Sequence, residues 1–494
     1  MQADARPAAP ELDRLVPRLR ASVGPSRVLT DPTQLRTYEC DGLTTFRVRP
    51  AVVVLAESRE HVIETVRLCA EHGVPFVARG SGTGLSGGAL PTADGVLLVL
   101  SRLRAVLDVD LDDAQITVEP GVINLQVTRE VAAASLAFAP DPSSQQVCSI
   151  GGNVAENSGG AHCLKYGFTV NHVLAAEVVL ADGEVVTLGG SAPEHPGYDL
   201  LGAFIGSEGT LGVATRVTLR LIRTPETVQT MLVGFHSIAA AGDAVSDIVA
   251  AGIVPAAIEM MDALAIEAAE AAVHCGYPPG AAAVLVVELD GPHAEVTHQF
   301  AEVERLVAAR GAFAIRIAAD DEERMTMWRG RKSAFAAVGR ISPAYFVQDG
   351  VIPRTQLANV LDEIDRMAQA SGLRVANVFH AGDGNLHPLV LFDDGVPGQA
   401  EVAEELAGDI LDLCIDRGGS ITGEHGVGFE KKGKMANQFS PDDLDAMQRL
   451  RCAFDPAGLA NPGKIFPTPR LCGERPGPRT GEHPLSAAGI AEVF

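Results

Sequence analysis

Short apolar runs rich in valine, isoleucine and leucine punctuate the first half of the chain: Ala51 to Leu55, Val74 to Ala78, Val96 to Leu100, Ile116 to Val118, Val173 to Leu180 and Val213 to Leu221. Runs of this length, separated by helical stretches and glycine-rich loops, predict strands. With the polar helical start before them they predict an α+β, nucleotide-binding region. After Arg223-Thr-Pro-Glu226 the rhythm changes. Strands at 228–235, 255–260, 283–289 and 313–317 alternate with helices at 237–251, 262–274 and 294–310, the pattern of a split βαβ, ferredoxin-like domain. Further strands are expected at 345–351, 374–380 and 387–392, and a long helix at about 398–417 stops at Gly418-Gly419. A glycine loop, a helix opening at Ser440-Pro441 and the stretch Asn461-Pro-Gly-Lys-Ile-Phe466 follow. The expected domains are 1–225, 226–420 and 421–466, and the tail 467–494, rich in Pro, Gly and Arg, is expected to be disordered.

A chain of 494 residues can bury a large core without metal or disulfide staples, so stability alone need not explain any special residue. The 39 Lys and Arg against 63 Asp and Glu give a net charge of -24, which repels nucleic acid and anionic lipid. An anionic substrate must therefore meet positive charge placed locally. No run of about 18 uncharged apolar residues occurs, and MQADARPAAPELDR lacks the basic and apolar stretches of a secretory signal. A cytoplasmic protein without an integral membrane segment is expected. The eight cysteines are scattered without a C-x-x-C pair, so reduced, buried thiols are expected rather than an iron–sulfur cluster or zinc ribbon.

Candidate chemistry begins at Arg79-Gly-Ser-Gly-Thr-Gly-Leu-Ser-Gly-Gly-Ala89, which contains a literal G-x-G-x-x-G at Gly82, Gly84 and Gly87. A Rossmann NAD site needs a helix to begin inside that motif, whereas Ala89-Leu-Pro-Thr-Ala-Asp-Gly95 continues as turn and then strand. The loop can instead present successive backbone N–H groups to a diphosphate, with the hydroxyls of Ser81, Thr83 and Ser86 as further donors. Pro140-Asp-Pro-Ser-Ser144 with Ser149-Ile-Gly-Gly-Asn-Val-Ala-Glu-Asn-Ser-Gly-Gly160, and Gly206-Ser-Glu-Gly-Thr-Leu-Gly-Val213, are similar loops. Three of them suggest an extended dinucleotide.

These loops resemble the FAD-binding domain of the vanillyl-alcohol-oxidase type of flavoprotein, with a ferredoxin-like substrate (cap) domain, over about residues 30 to 467. The blocks Tyr38-Glu-Cys-Asp-Gly42, Arg79 to Pro91 and Pro140 to Tyr166 are similar to the flavin-binding D subunits of glycolate oxidases. The resemblance implies that Arg79, Gly80, Ser81, Gly82, Thr83 and Gly84 hold the FAD pyrophosphate. Pro140, Asp141, Ser143, Ser144, Gly151, Gly152, Asn153, Asn157 and Ser158 would line the flavin, and Glu208, Gly212 and Val213 would reach the adenosine end. Asn461 and Lys464 would return from the C-terminal segment, which completes the active site. Some relatives attach FAD covalently through a histidine in the first loop; Arg79 to Gly88 contains none, so non-covalent FAD is expected.

In Val378-Phe-His-Ala-Gly-Asp-Gly-Asn-Leu-His-Pro388 two histidines flank a Gly-rich turn that can fold back as a hairpin. Ile421-Thr-Gly-Glu-His-Gly-Val-Gly428 supplies a carboxylate and a third imidazole, and two His with one Glu suit a divalent metal with positions left open. His162, His195 and His298 read as ordinary core or surface histidines. The resemblance assigns His380, His387 and Glu424 to a metal (zinc, manganese or iron), Asn385 to substrate contact and His425 to proton abstraction. It also assigns Arg331, in Met327-Trp-Arg-Gly-Arg-Lys-Ser-Ala334, to the substrate carboxylate, a contact a guanidinium can make bidentately. Relatives that take dicarboxylates carry an extra lysine where Tyr345 to Pro353 has no basic residue, so a monocarboxylate is expected.

The implied reaction is oxidation of glycolate, a short 2-hydroxy acid, to glyoxylate with hydride transfer to FAD. By the same resemblance the electrons pass to a second flavin-type subunit, an iron–sulfur subunit or a quinone, and such partners would place the chain peripherally at the inner face of the membrane. A D-lactate dehydrogenase is the nearest alternative reading. A flavin-dependent alkyl transferase and a non-catalytic FAD-binding subunit are more remote ones.

Overall fold

The computed structural model describes residues 10–192 and 197–467. Beyond Pro467 the expected disordered tail lies outside the described residues, as does His195.

The helix Pro10–Val23 packs on the helix Arg59–His72. The latter is written locally: Ser58 accepts the His61 amide at its start, Gly73 ends it with φ of 61°, and Val62, Val66 and Cys69 bury one face. They accompany a four-stranded sheet in the order Val28–Leu29, Val52–Leu55, Val96–Val99, Phe76–Arg79, in which the last three are parallel. The two continuously buried strands Val52–Leu55 and Val96–Val99 explain why apolar runs rather than alternation marked this region. No helix follows Phe76–Arg79 before the next strand, so the loop from Gly80 is not a Rossmann turn.

A five-stranded antiparallel sheet follows, ordered Val106–Asp110, Gln115–Val118, Val213–Arg220, Val173–Val179, Val185–Gly189. Its two edge strands are not predicted by the apolar pattern. Val106–Asp110 is largely exposed and interrupted by aspartates, so it offers no apolar run.

The third sheet carries the strands Ala314–Ile317, Thr227–Phe235, Ala283–Gly291 and Ala257–Asp262 in that order, all antiparallel. In chain order this is 4-1-3-2, the ferredoxin-like arrangement, with the helix Ala263–Val273 inserted. On its far edge Arg374–His380 pairs with Ala257–Asp262. Pro388–Phe392 and Ala344–Val347 extend the sheet from there. Two helices of this region, Asp321–Val338 and Leu357–Ser371, have no counterpart among the expected elements.

The C-terminal segment returns to the first sheet. Ala460 bridges Phe76 in parallel, the Phe76 amide donates to Leu459 O at 2.9 Å and the Asn461 amide to Phe76 O at 2.8 Å. Cys69, Cys148, Cys163, Cys275 and Cys414 are buried free thiols and Cys40 a partly buried one. Cys452 is disulfide-bonded, which corrects the expectation of reduced thiols there. Among the described residues no helix is long and apolar enough to cross a membrane.

Asn461 Nδ2 donates to Gly88 O at 2.8 Å and to Glu208 O. Asn461→Ala therefore leaves buried carbonyls without a donor and is expected to cost about 1–3 kcal/mol, read as a lower urea midpoint at unchanged slope. An unchanged midpoint would show that the segment is held elsewhere.

Candidate functional site

The glycine loops converge on one cleft. Its wall includes Gly80, Ser81, Gly82, Thr83 and Gly84 from the first loop. Ser143, Ser144, Gly151, Gly152, Asn153 and Ser158 come from the second, and Glu208, Gly212 and Val213 from the third. The loops touch: a Cβ on Gly80 would fall on Ser149 Oγ, and the amides of Gly206 and Glu208 donate at 2.8 Å to Val154 O and Ala155 O. Part of the second loop is a short helix, Ile150–Glu156, opened by Ser149 and closed by Asn157 at φ of 50°. The buried oxygens Ser149 Oγ, Ser207 Oγ and Glu156 Oε2 lie in residues of this wall and have no partner, as expected where a polar ligand supplies one. The residues present thus fit an extended cofactor.

Other expected cofactor residues stand behind the wall. Arg79 donates to Ala89 O and Tyr38 O, closing the first loop on itself. Pro140 O accepts from Asn124 Nδ2 at 3.1 Å, and Asn157 Oδ1 accepts the Val170 amide at 2.9 Å. Asp141 is occupied by His162, through the backbone amide at 3.1 Å and Nδ1 at 2.9 Å. Lys464 Nζ donates to Leu90 O at 2.8 Å. These residues shape the loops rather than line the cleft. His162 is more than the ordinary histidine expected, because its Nε2 reaches Glu288 on the third sheet at 3.1 Å. Burial would lower its pKa, but Asp141 and Glu288 outweigh that and raise it to about 10.

The expected hairpin is present: His380 pairs in register with Asn385, and the turn closes through the Gly384 amide on His380 O at 3.1 Å. The ligating atoms of His380, His387 and Glu424 lie within 4.8 Å of one another. Nε2 of His380 and of His387 lie 3.3 and 3.1 Å from Glu424 Oε1. Their other nitrogens are already held, His380 Nδ1 at 2.7 Å from Glu259 Oε1 and His387 Nδ1 at 3.2 Å from Gln348 O. Imidazoles oriented from behind in this way are what a metal site requires, and the donor set fits a divalent ion. Burial would raise the Glu424 carboxyl, but His380 and His387 hold it well below its ordinary value.

Glu259 connects this cluster to Arg331, whose Nη2 lies 2.6 Å from Glu259 Oε2. Arg331 is 4 % exposed and its Nε has no partner, so donors remain for a carboxylate. Asn385 Oδ1 and His425 Nδ1 are likewise buried without partners. Burial lowers His425 to about 4, so the imidazole is neutral near pH 7 and can accept a proton. His425 stacks on His387 with ring centroids 4.8 Å apart.

The loop bearing Glu424 and His425 is fixed by Asp349, which has no role in the sequence-based expectations, and by Glu208, which is expected there at the adenosine end. Asp349 accepts the Thr422 hydroxyl and the amides of Gly423, Glu424 and His425. The Gly426 amide donates to Thr422 Oγ1, and Glu208 accepts the amides of Val427 and Gly428 at 2.6 and 2.7 Å. A basic residue does enter beside the Tyr345 to Pro353 stretch: Lys431, 1 % exposed, but its ammonium is paired with Asp349 at 3.2 Å. Asp349 also forms a ligand group with His387 and His425, yet these amides and Lys431 already saturate its oxygens.

Residues 50–189 match the model of an FAD binding domain, and residues 224–465 that of the C-terminal domain of FAD linked oxidases. Among curated proteins the chain is 50% identical over 469 residues, 94% of each chain, to the glycolate oxidase subunit GlcD of Escherichia coli K12. It is 30% identical over 453 residues to a D-lactate dehydrogenase of Anaerostipes hadrus, covering 90% of this chain and 95% of that one. The 4-ethylphenol oxidase of Gulosibacter chungangensis superposes with a TM-score of 0.79 at 19% identity over 94% of this chain and 99% of that one, which shows a shared two-domain FAD-binding fold. The chain belongs to the FAD-linked oxidase family.

Proposed function

We propose that this chain is the flavin-binding subunit of a glycolate oxidase, which oxidises glycolate to glyoxylate. The observation that carries the reading is that Glu424 and His425 belong both to the buried polar cluster and to the wall of the FAD cavity. A substrate held by the cluster therefore lies against the cofactor. The relative sharing half of its residues is named for that activity.

When bound, FAD supplies two-electron acceptance, and a divalent ion on His380, His387 and Glu424 supplies polarisation of the substrate oxygens. The chain's own residues do the rest. Arg331 holds the single carboxylate with the donors Glu259 leaves free, and its guanidinium is pre-aimed by that ion pair. Asn385, with its unpartnered amide oxygen, orients the hydroxyl. His425, neutral and buried, takes the hydroxyl proton as the α-hydrogen leaves. Lys431, the cation that enters beside Tyr345 to Pro353, is committed to Asp349 rather than left for a second carboxylate, which favours a monocarboxylate. Electrons then leave to a second flavin-type subunit, an iron–sulfur subunit or a quinone; among the described residues neither ligand group contains a cysteine.

His425→Ala is expected to keep the bound-FAD spectrum while slowing flavin reduction by glycolate about 10²- to 10⁴-fold in stopped flow. Unchanged reduction would remove His425 from the chemistry. Chelation and dialysis are expected to abolish glyoxylate formation with an artificial electron acceptor, and added zinc, manganese or iron to restore it. Full activity of metal-free protein would refute the metal. Glu259→Ala is expected to weaken metal binding about 10- to 100-fold by equilibrium dialysis without loss of FAD. Wild-type metal affinity in that variant would show that His380 is oriented by something else.

A further inference from the structure

Two carboxyl groups in the FAD cavity have no role in the chemistry above. Glu156 ends the helix Ile150–Glu156, Glu208 sits in the third glycine loop with φ of 51°, and both line the cavity. A Cβ on Gly88 would lie 2.6 Å from Glu156 Oε1 and 3.6 Å from Glu208 Oε2, and one on Gly426 would collide with Glu156 Oε2 and Glu208 Oε1. The two groups thus face one another across positions that carry no side chain. Glu208 is fixed by the amides of Val427 and Gly428. Glu156 Oε2 is buried and has no hydrogen-bond partner.

The charged groups nearest the pair are Asp41, itself beside Arg79, then Asp349 with Lys431, and Lys464 from the C-terminal segment with Lys432 beside it; Glu424 and His425 line the same cavity. Carboxyl groups thus crowd the pair from several sides. The cations are spent elsewhere: Lys431 on Asp349, Lys464 on Leu90 O and Asn461 Oδ1, and Arg79 on Ala89 O and Tyr38 O. Burial, then Glu208 and Asp41, hold the Glu156 carboxyl well above its ordinary value, and burial raises Glu208 to about 7. A diphosphate cofactor brings further negative charge into the same cavity.

We propose that FAD binding is proton-linked through this pair: the cavity takes the anionic cofactor only with one proton held between Glu156 and Glu208, protonated Glu156 being a neutral donor in the wall. This rests on the assignment of FAD to the cavity. The balance is one proton taken from solvent per FAD bound whenever the pair is fully ionised beforehand; no other bond changes. Because bound FAD raises the pair's pKa, affinity is full below the free protein's value. Above it, affinity falls about tenfold per pH unit.

The test titrates metal-free apoprotein with FAD from about pH 6 to about pH 9, following flavin fluorescence, with calorimetry in two buffers of different ionisation heat. The wild type is expected to lose affinity up to about tenfold per pH unit and to take up about one proton per FAD at the alkaline end. Glu156→Gln, neutral at every pH, is expected to lose the proton uptake of the pair and to show a shallower pH dependence of FAD affinity than the wild type. Lys464, lowered by burial to about 8, titrates in the same window, and the comparison with Glu156→Gln separates the two. An equal pH dependence in both proteins, or no proton uptake by the wild type, would overturn the proposal. Should Glu156→Gln fail to fold, Lys464→Arg, which stays charged throughout this window, takes its place: loss of the pH dependence and of the proton uptake in that variant would overturn the proposal. Absence of FAD binding at every pH would overturn the cofactor assignment and this proposal with it, whereas pH-independent tight binding would overturn the proposal alone.

Discussion

Two buried carboxylates hold the loop on which everything else depends. Along Gly423 to Gly428 every successive amide has an acceptor: Asp349 for the first three, the Thr422 hydroxyl for the next and Glu208 for the last two. Asp349 follows a strand of the third sheet, whereas Glu208 belongs to the glycine loops of the FAD cavity. The loop is therefore fastened at once to the cap and to the cofactor cavity. Charge-assisted bonds of this kind are strong in a dry interior, and burial of the acceptors makes any alternative loop path costly. Glu424 and His425 hang from this backbone, so their distances to His380 and His387 are set by Asp349 and Glu208 rather than by their own packing.

The same device recurs one layer back. Glu259 lies on the strand Ala257–Asp262 and His380 on its neighbour Arg374–His380, and the register pairs the two residues directly. From that position one carboxylate reaches both His380 and Arg331, so the proposed metal ligand and the proposed substrate clamp share an orienting group. His162 plays a comparable part between Asp141 and Glu288, tying the second glycine loop to the third sheet.

Much of this was legible in the sequence. The glycine and hydroxyl loops announced themselves because backbone amides can meet a diphosphate only where side chains are absent, and the His-turn-His hairpin was fixed by its glycines. The ferredoxin-like rhythm was visible because strands and amphipathic helices alternate cleanly from 228 to 317. The helix Asp321–Val338 was not, since its buried face carries the charged Arg331, which breaks the apolar period. The helix Leu357–Ser371 does show the period, in Leu357, Val360, Leu361, Ile364 and Ala368, and could have been read. Glu259 and Glu288 had a usable signal too, because an acid flanked by apolar residues within a buried stretch of strand must be paired. The grip of Asp349 and Glu208 on the loop had none, since it joins backbone amides to residues far away in the chain.

The most direct measurement is anaerobic mixing of the FAD- and metal-loaded protein with glycolate, D-lactate, L-lactate or D-2-hydroxyglutarate, following flavin absorbance at about 450 nm. Glycolate is predicted to bleach the flavin fastest and D-2-hydroxyglutarate slowly, because Arg331 keeps donors for one carboxylate while Lys431 is committed to Asp349. Fastest bleaching by D-lactate would make the chain a D-lactate dehydrogenase, and no bleaching by any of the acids would contradict the account of the site.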